Sequence, residues 1–203
     1  MICDIDENMP QPFDATLKQD LAPLLKREGY KKSGNVWRRS LDECTQITAA
    51  QSADEGDEPG RFTLALAVYY PAVDELGRAS SPEPRPEPGH CVIREMIGAL
   101  MPAPADHWWR AEAEVADDRL AREVADTWLM HGKPWLDSHA DPAVAQEWLV
   151  GKGDLYWAAV VALYRQYPEE ASALLRAAIE SADAENSSYL FHMRAWGAAH
   201  GLL

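Results

Sequence analysis

A few short clusters in this chain bring together residue types that could do chemistry. Asp106 and His107 stand beside Trp108 and Trp109, a carboxylate and an imidazole in aromatic surroundings where a histidine can be tuned to move protons near neutral pH. Adjacent residues in regular structure do not readily bond to each other, and Asp106 after Pro104-Ala105 also suits a helix cap, so a structural role is the expectation there. The same adjacency weakens His90-Cys91 as a base and nucleophile, although a distant histidine could serve the thiol. Asp137-x-His139-x-Asp141, with His131 upstream, offers the oxygen and imidazole ligands that a hard or borderline metal uses. Asp141 before Pro142 is already explained as a helix N-cap, so no metal and no other cofactor is expected. Asp4-x-Asp6-x-Asn8 opens like a calcium loop, but Met9 stands where that loop needs glycine and Ala15 where it needs a bidentate glutamate.

Charge supplies a second kind of candidate. Between positions 26 and 39 lie Lys26, Arg27, Lys31, Lys32, Arg38 and Arg39 against Glu28 alone, in a chain whose formal net charge is −14. A local basic face on an acidic body could hold phosphate or an acidic partner, and Trp37 within it could stack on a base. The overall negative charge argues against nucleic acid as the partner and against an anionic membrane surface. The candidate binding residues are therefore Lys31, Lys32, Trp37 and Arg38, together with Asp106, His107, Trp108, Trp109 and Trp135 where an aromatic groove could form between a sheet and helices. A Gly-x-Ser-x-Gly elbow, a phosphate-binding Gly-x-x-x-x-Gly-Lys loop, a Gly-x-Gly-x-x-Gly turn and a His-Glu-x-x-His pair are all missing, which disfavours the enzymes those motifs mark.

These residues must be positioned by elements that the periodicity of the chain predicts. Phe13, Leu17, Leu21, Leu24 and Leu25 fall on one face of a helix from about Pro12 to Glu28, interrupted at Pro23 and stopped by Gly29. Asn35 to Leu41, Thr45 to Ser52 and Arg61 to Tyr70 read as an antiparallel three-strand meander. In the last of these Phe62, Leu64, Leu66, Val68 and Tyr70 alternate with Thr63, Ala65, Ala67 and Tyr69, so the large apolar face should meet the first helix. The proline-rich run from Ala79 to Gly89 reads as an extended linker, its alternatives a flexible loop or a docking peptide, and 91–101 as a fourth short strand or a helix, with Val92, Met96, Ile97 and Leu100 leaning helical. Beyond Asp106 the chain reads as overwhelmingly helical, with a helix from about Asp117 to Met130 ending at Gly132-Lys133-Pro134, another opened by Asp141-Pro142, and three more over 154–167, 168–182 and 187–200. Their short connections predict an antiparallel bundle.

The run Leu24 to Arg39, the Gln46 to Gln51 and Arg61 to Tyr69 strands, Cys91 with Arg94, and Asp106-His107-Trp108-Trp109 occur in an order that resembles the bacterial family known as domain of unknown function 4304. The resemblance covers roughly residues 13 to 111. It implies an α+β fold and brings no catalytic residue.

The expected architecture is α+β: an N-terminal helix on an antiparallel three- to four-stranded sheet over 12–111, then a helical C-terminal unit over 112–203 packed against it. Three cysteines without a Cys-x-x-Cys spacing, an acidic, sparsely apolar start and the lack of a twenty-residue apolar run point to a reducing cytoplasm and no membrane span. The expected function is a non-enzymatic binding or interaction protein with a protein partner, in the manner of an immunity protein. The competing expectation is an enzyme with a cryptic site at the junction of sheet and helices, using Asp106, His107 or Cys91.

Overall fold

A computed structural model describes residues 11–53, 60–111, 117–182 and 187–203; Cys3, the calcium-like start at Asp4 and most of the acidic turn before Gly60 lie outside the described residues. The fold is α+β. Contacts divide the chain into two compact units, Met1–Tyr69 with Arg85–Asp137, and Tyr70–Pro84 with Ser138–Leu203, rather than at the 111/112 position read from the sequence.

In the first unit the leucine-faced segment forms two helices, α1 (Asp14–Gln19) and α2 (Leu21–Arg27). The break falls at Asp20 because Pro23 belongs in a first turn, where its missing N–H costs nothing. Gly29, at φ +89°, takes the left-handed conformation that ends α2, and the chain enters the sheet at Tyr30. Six strands follow among the described residues: β1 (Lys31–Ser33), β2 (Val36–Ser40), β3 (Thr45–Ser52), β4 (Arg61–Tyr69), β5 (Ile93–Met96) and β6 (Trp109–Arg110). Their order is β1-β2-β3-β4-β5, all antiparallel, with β6 also paired to β4. The sheet is thus wider than the three or four strands expected. β1 escaped the sequence reading because three polar residues carry no alternation; the two-residue Gly34-Asn35 turn, with Gly34 at φ +59°, is what folds it onto β2.

One face of the sheet carries Trp37, Thr48, Ala50, Phe62, Leu64, Leu66, Val68, Ile93 and Trp109, by the alternation of the paired registers. It meets the helices as expected: the Phe13 and Phe62 rings lie 4.8 Å apart, and Leu17, Leu21, Leu25, Leu64 and Leu66 are fully buried.

Three expectations are corrected here. Trp109–Arg110, in the stretch beyond Asp106 read as helical, is strand because it pairs with β4. Residues 93–96 are strand and Ile97–Leu100 a 3-10 turn, because pairing with β4 overrides the helical spacing of Val92, Met96 and Ile97. The helix α4 (Asp118–Thr127), capped by the Asp117 carboxylate, does not stop at Gly132-Lys133-Pro134. It widens into a π turn over Trp128–Gly132 and continues as α5 (Lys133–Ser138). A proline in a regular helix would remove a bond and crowd the preceding turn; the wider turn is where the chain absorbs Pro134. Packing fixes that turn. Trp128 Nε1 donates to Thr48 Oγ1 at 3.0 Å, and Gly132 lies where a Cβ would meet Trp128, Ile97 and Leu66 side chains.

The second unit contains α3 (Pro71–Arg78), α6 (Pro142–Lys152), α7 (Leu155–Tyr164), α8 (Pro168–Ser181) and α9 (Ser187–Ala199). Asp141 caps α6 as expected, its Oδ1 accepting from Ala143 N at 2.8 Å. α7 is apolar almost all round and buried from Tyr156 to Ala162 apart from Trp157, so it forms the centre on which α3, α6 and α8 pack. No described helix is long and apolar enough to cross a membrane.

Candidate anion-binding face of the sheet

The strands turn a second set of side chains to the opposite face, and that set is chemically uniform. Pairing aligns Lys31, Arg38, Ile47, Ala67 and Arg94 in one row across five strands. The next row is Ser33, Val36, Ala49, Ala65 and Met96, and beyond Gln51 and Thr63 come Arg61 and Arg110, directly opposite each other. Every charged side chain that the strands place on this face is a cation: Lys31, Arg38, Arg61, Arg94 and Arg110. The helix-covered face, by contrast, receives Lys32, Arg39 and Glu95.

A strap crosses the centre of the cationic row. Arg38 Nε donates to the Pro86 carbonyl at 2.7 Å, and Arg94 Nη1 to the Pro88 and Gly89 carbonyls at 3.5 and 3.3 Å. Glu87 and His90 close a reciprocal cap around the 3-10 turn Pro88–His90. The strap covers an apolar patch of Ile47, Ala67, Tyr69 and Cys91. The proline run is therefore no free linker at this end: two arginines, Arg38 of β2 and Arg94 of β5, hold it to the sheet. Beside the strap a cavity of about 340 Å³ opens over Ala65, lined by Gln51, Pro88, Gly89, Arg94, Glu95 and Met96, so it carries one charge of each sign. The small side chain of Ala65 sets its floor low.

Arg38 Nη2 also lies 3.5 Å from Glu87 Oε1 of the strap. On the helix-covered side a second charged group gathers around Asp137. Lys133 Nζ lies 2.7 Å from Asp137 Oδ2 and 3.1 Å from Glu28 Oε2, and Arg39 Nη1 lies 3.6 Å from Asp137 Oδ1. Burial works to raise the Asp137 carboxyl, but hydrogen bonds from Lys133 and Gln46 and the charges of Lys133 and Arg39 hold it below its ordinary value. The same bond to Asp137, reinforced by Glu28, raises Lys133. Behind them Tyr30 donates to Gln46 Oε1 at 2.8 Å and Gln46 Nε2 to the Leu136 carbonyl at 2.8 Å, a buried chain that ties α5 to the sheet. Burial pushes the Tyr30 phenol well up, so it stays a neutral donor.

The residues singled out from the sequence are dispersed. Trp37 is buried on the helix side with Lys32 Nζ 5.0 Å from its ring centre, so no base can stack there without unfolding it. Lys31 is exposed at the sheet edge and Arg38 is half-buried under the strap. Asp106 is exposed, and His107 packs against Gly98 and edge-on to Trp109, the rings 4.7 Å apart. Trp109 is buried and donates to Glu123 Oε1 at 3.2 Å, while the Arg61 guanidinium lies 4.9 Å from the Trp108 ring centre. Trp135 is buried in α5. The Cys91 thiol is buried and donates to the Glu87 carbonyl, a core thiol within the strap. Among the described residues no three His, Cys, Asp or Glu side chains gather as metal ligands.

Arg61, Arg94 and Arg110 were missed by sequence reasoning. Arg61 carried a signal, since it falls in phase with Thr63, Ala65 and Ala67; Arg94 and Arg110 sit in strands too short to show a phase. Residues 21–138 match the family described as Domain of unknown function (DUF4304). No curated protein and no solved structure matches the chain.

Proposed function

The chain belongs to the DUF4304 family, whose description assigns no activity, and on that premise we propose that it is a binding protein taking an acidic segment of a protein partner along the cationic side of its sheet, beside the strap. The observation that carries this reading is the single sign of charge on that face, in a molecule whose net charge is −14. Spread supports a segment over a single phosphate: Lys31 and Arg94 stand four strand spacings apart, roughly 19 Å, with the strap crossing between them. Potentials of opposite sign steer such a partner and fix its register.

The test is fluorescence anisotropy of a labelled hexaglutamate peptide, with hexalysine as the control. Lys31→Gln and Arg94→Gln together remove two charges, and a glutamine at 94 keeps an N–H donor for the strap carbonyls. Salt-sensitive binding that weakens several-fold in the double variant supports the reading. Equal binding of hexalysine, or no change in the variant, overturns it.

A second reading, an enzyme, is favoured by one observation: the buried His107 Nε2 and Trp108 Nε1 have no hydrogen-bond partner among the described residues. Turnover in a broad hydrolase screen that disappears in His107→Ala would support that alternative.

A further inference from the structure

The second unit holds a cavity of about 280 Å³ between the start of α7, the end of α8 and α9, independent of the sheet face. Asp154, Tyr156, Tyr189 and Met193 line it, and Asp154 is its one charged side chain among the described residues. That carboxylate is half-buried and accepts one long bond, from Trp157 N at 3.5 Å, in its role as the cap of α7. The aromatic wall is held in place. Tyr156 donates to the Gly77 carbonyl at 2.7 Å and lies 2.9 Å from His192 Nε2, which fixes its ring. Tyr189, His192 and Trp196 meet that ring edge-on at 5.9, 5.4 and 5.4 Å.

A carboxylate short of partners in an aromatic-walled cavity is the chemistry that recognises an organic cation: the charge pairs with the carboxylate and the aromatic wall packs on the alkyl part. We propose that this cavity binds an alkylammonium group, with Asp154 as the counter-ion and Tyr156 and Tyr189 as the walls. Burial raises both the Asp154 carboxyl and the Tyr189 phenol, the direction expected of acids that lack a cation and would gain one on binding. A free amine and the lysine side chain of a protein share this headgroup.

Calorimetric titration with benzylammonium and with its neutral counterpart benzyl alcohol tests the assignment. Asparagine caps a helix as well as aspartate, so Asp154→Asn removes the charge and keeps the fold. The expected result is binding of benzylammonium at least ten-fold tighter than of benzyl alcohol, with that preference lost in Asp154→Asn and the affinity reduced several-fold in Tyr189→Ala. Equal affinities for the two probes, or a preference that survives Asp154→Asn, overturns the proposal. Butylammonium and a capped lysine amide then identify the source: equal binding points to a lysine side chain, butylammonium alone to a free amine, and binding of neither contradicts the site. Failure of hexaglutamate to bind the sheet face leaves these outcomes unaffected.

Discussion

Thr48→Val tests whether the sheet holds the π turn through one buried hydrogen bond. Thr48 and Trp128 are both fully buried, and Trp128 Nε1 reaches Thr48 Oγ1 at 3.0 Å. Valine keeps the shape and β-branching of threonine and deletes the acceptor, leaving an indole N–H unsatisfied in the core. Such a group costs about 1–3 kcal/mol, and the apolar gain from the added methyl offsets a fraction of it, so a net loss of about 1–2 kcal/mol is expected. With m near 2 kcal/mol per M, urea unfolding should shift its midpoint down by roughly 0.5–1 M with m unchanged. The partner is identified by repeating the change in a Trp128→Phe background, where valine should cost nothing because no donor remains. An equal cost in both backgrounds, or no cost in the first, would refute the claim that this bond anchors the turn.

Gly132→Ala should lower stability even though alanine is the better helix former by about 1 kcal/mol, because overpacking costs about 1–3 kcal/mol. The new Cβ would stand 2.9 Å from Trp128 Cδ1, on a ring pinned by Thr48, and the urea midpoint reads the sign. Asp137 is held below its unfolded value of 3.8, so it stabilises the fold above that pH and loses the contribution as pH falls through the lower folded value; Asp137→Asn should flatten the acid limb of the midpoint-against-pH curve. Asp154 has the opposite sign: its raised folded value means the ionised form costs stability above that value, and the cost fades as pH falls toward 3.8. Asp154→Asn should therefore leave the protein as stable as the parent, or more so, at neutral pH, measured by thermal unfolding.

Local pattern was enough for much of this molecule. The leucine spacing of the first helices, the alternation from Phe62 to Val68, the stop at Gly29 and the cap at Asp141 are each written in a few neighbouring residues. Such signals work because backbone geometry sets a period of 3.6 or 2 and a missing N–H or a left-handed turn admits few residue types. The family resemblance was legible for the same reason, as ordered local motifs. Tertiary structure alone decided the rest. Residues 93–96 became strand because β4 offered a partner, and α4 ran past Pro134 because Trp128 and Gly132 had a sheet to pack on. The cationic face needed five strands in register before Lys31, Arg38, Arg61, Arg94 and Arg110 could share a side, since residues remote along the chain acquire a common face only through pairing. Asp154 and Tyr189 likewise meet only because helices α7 and α9 fold together, a proximity that no spacing along the chain encodes.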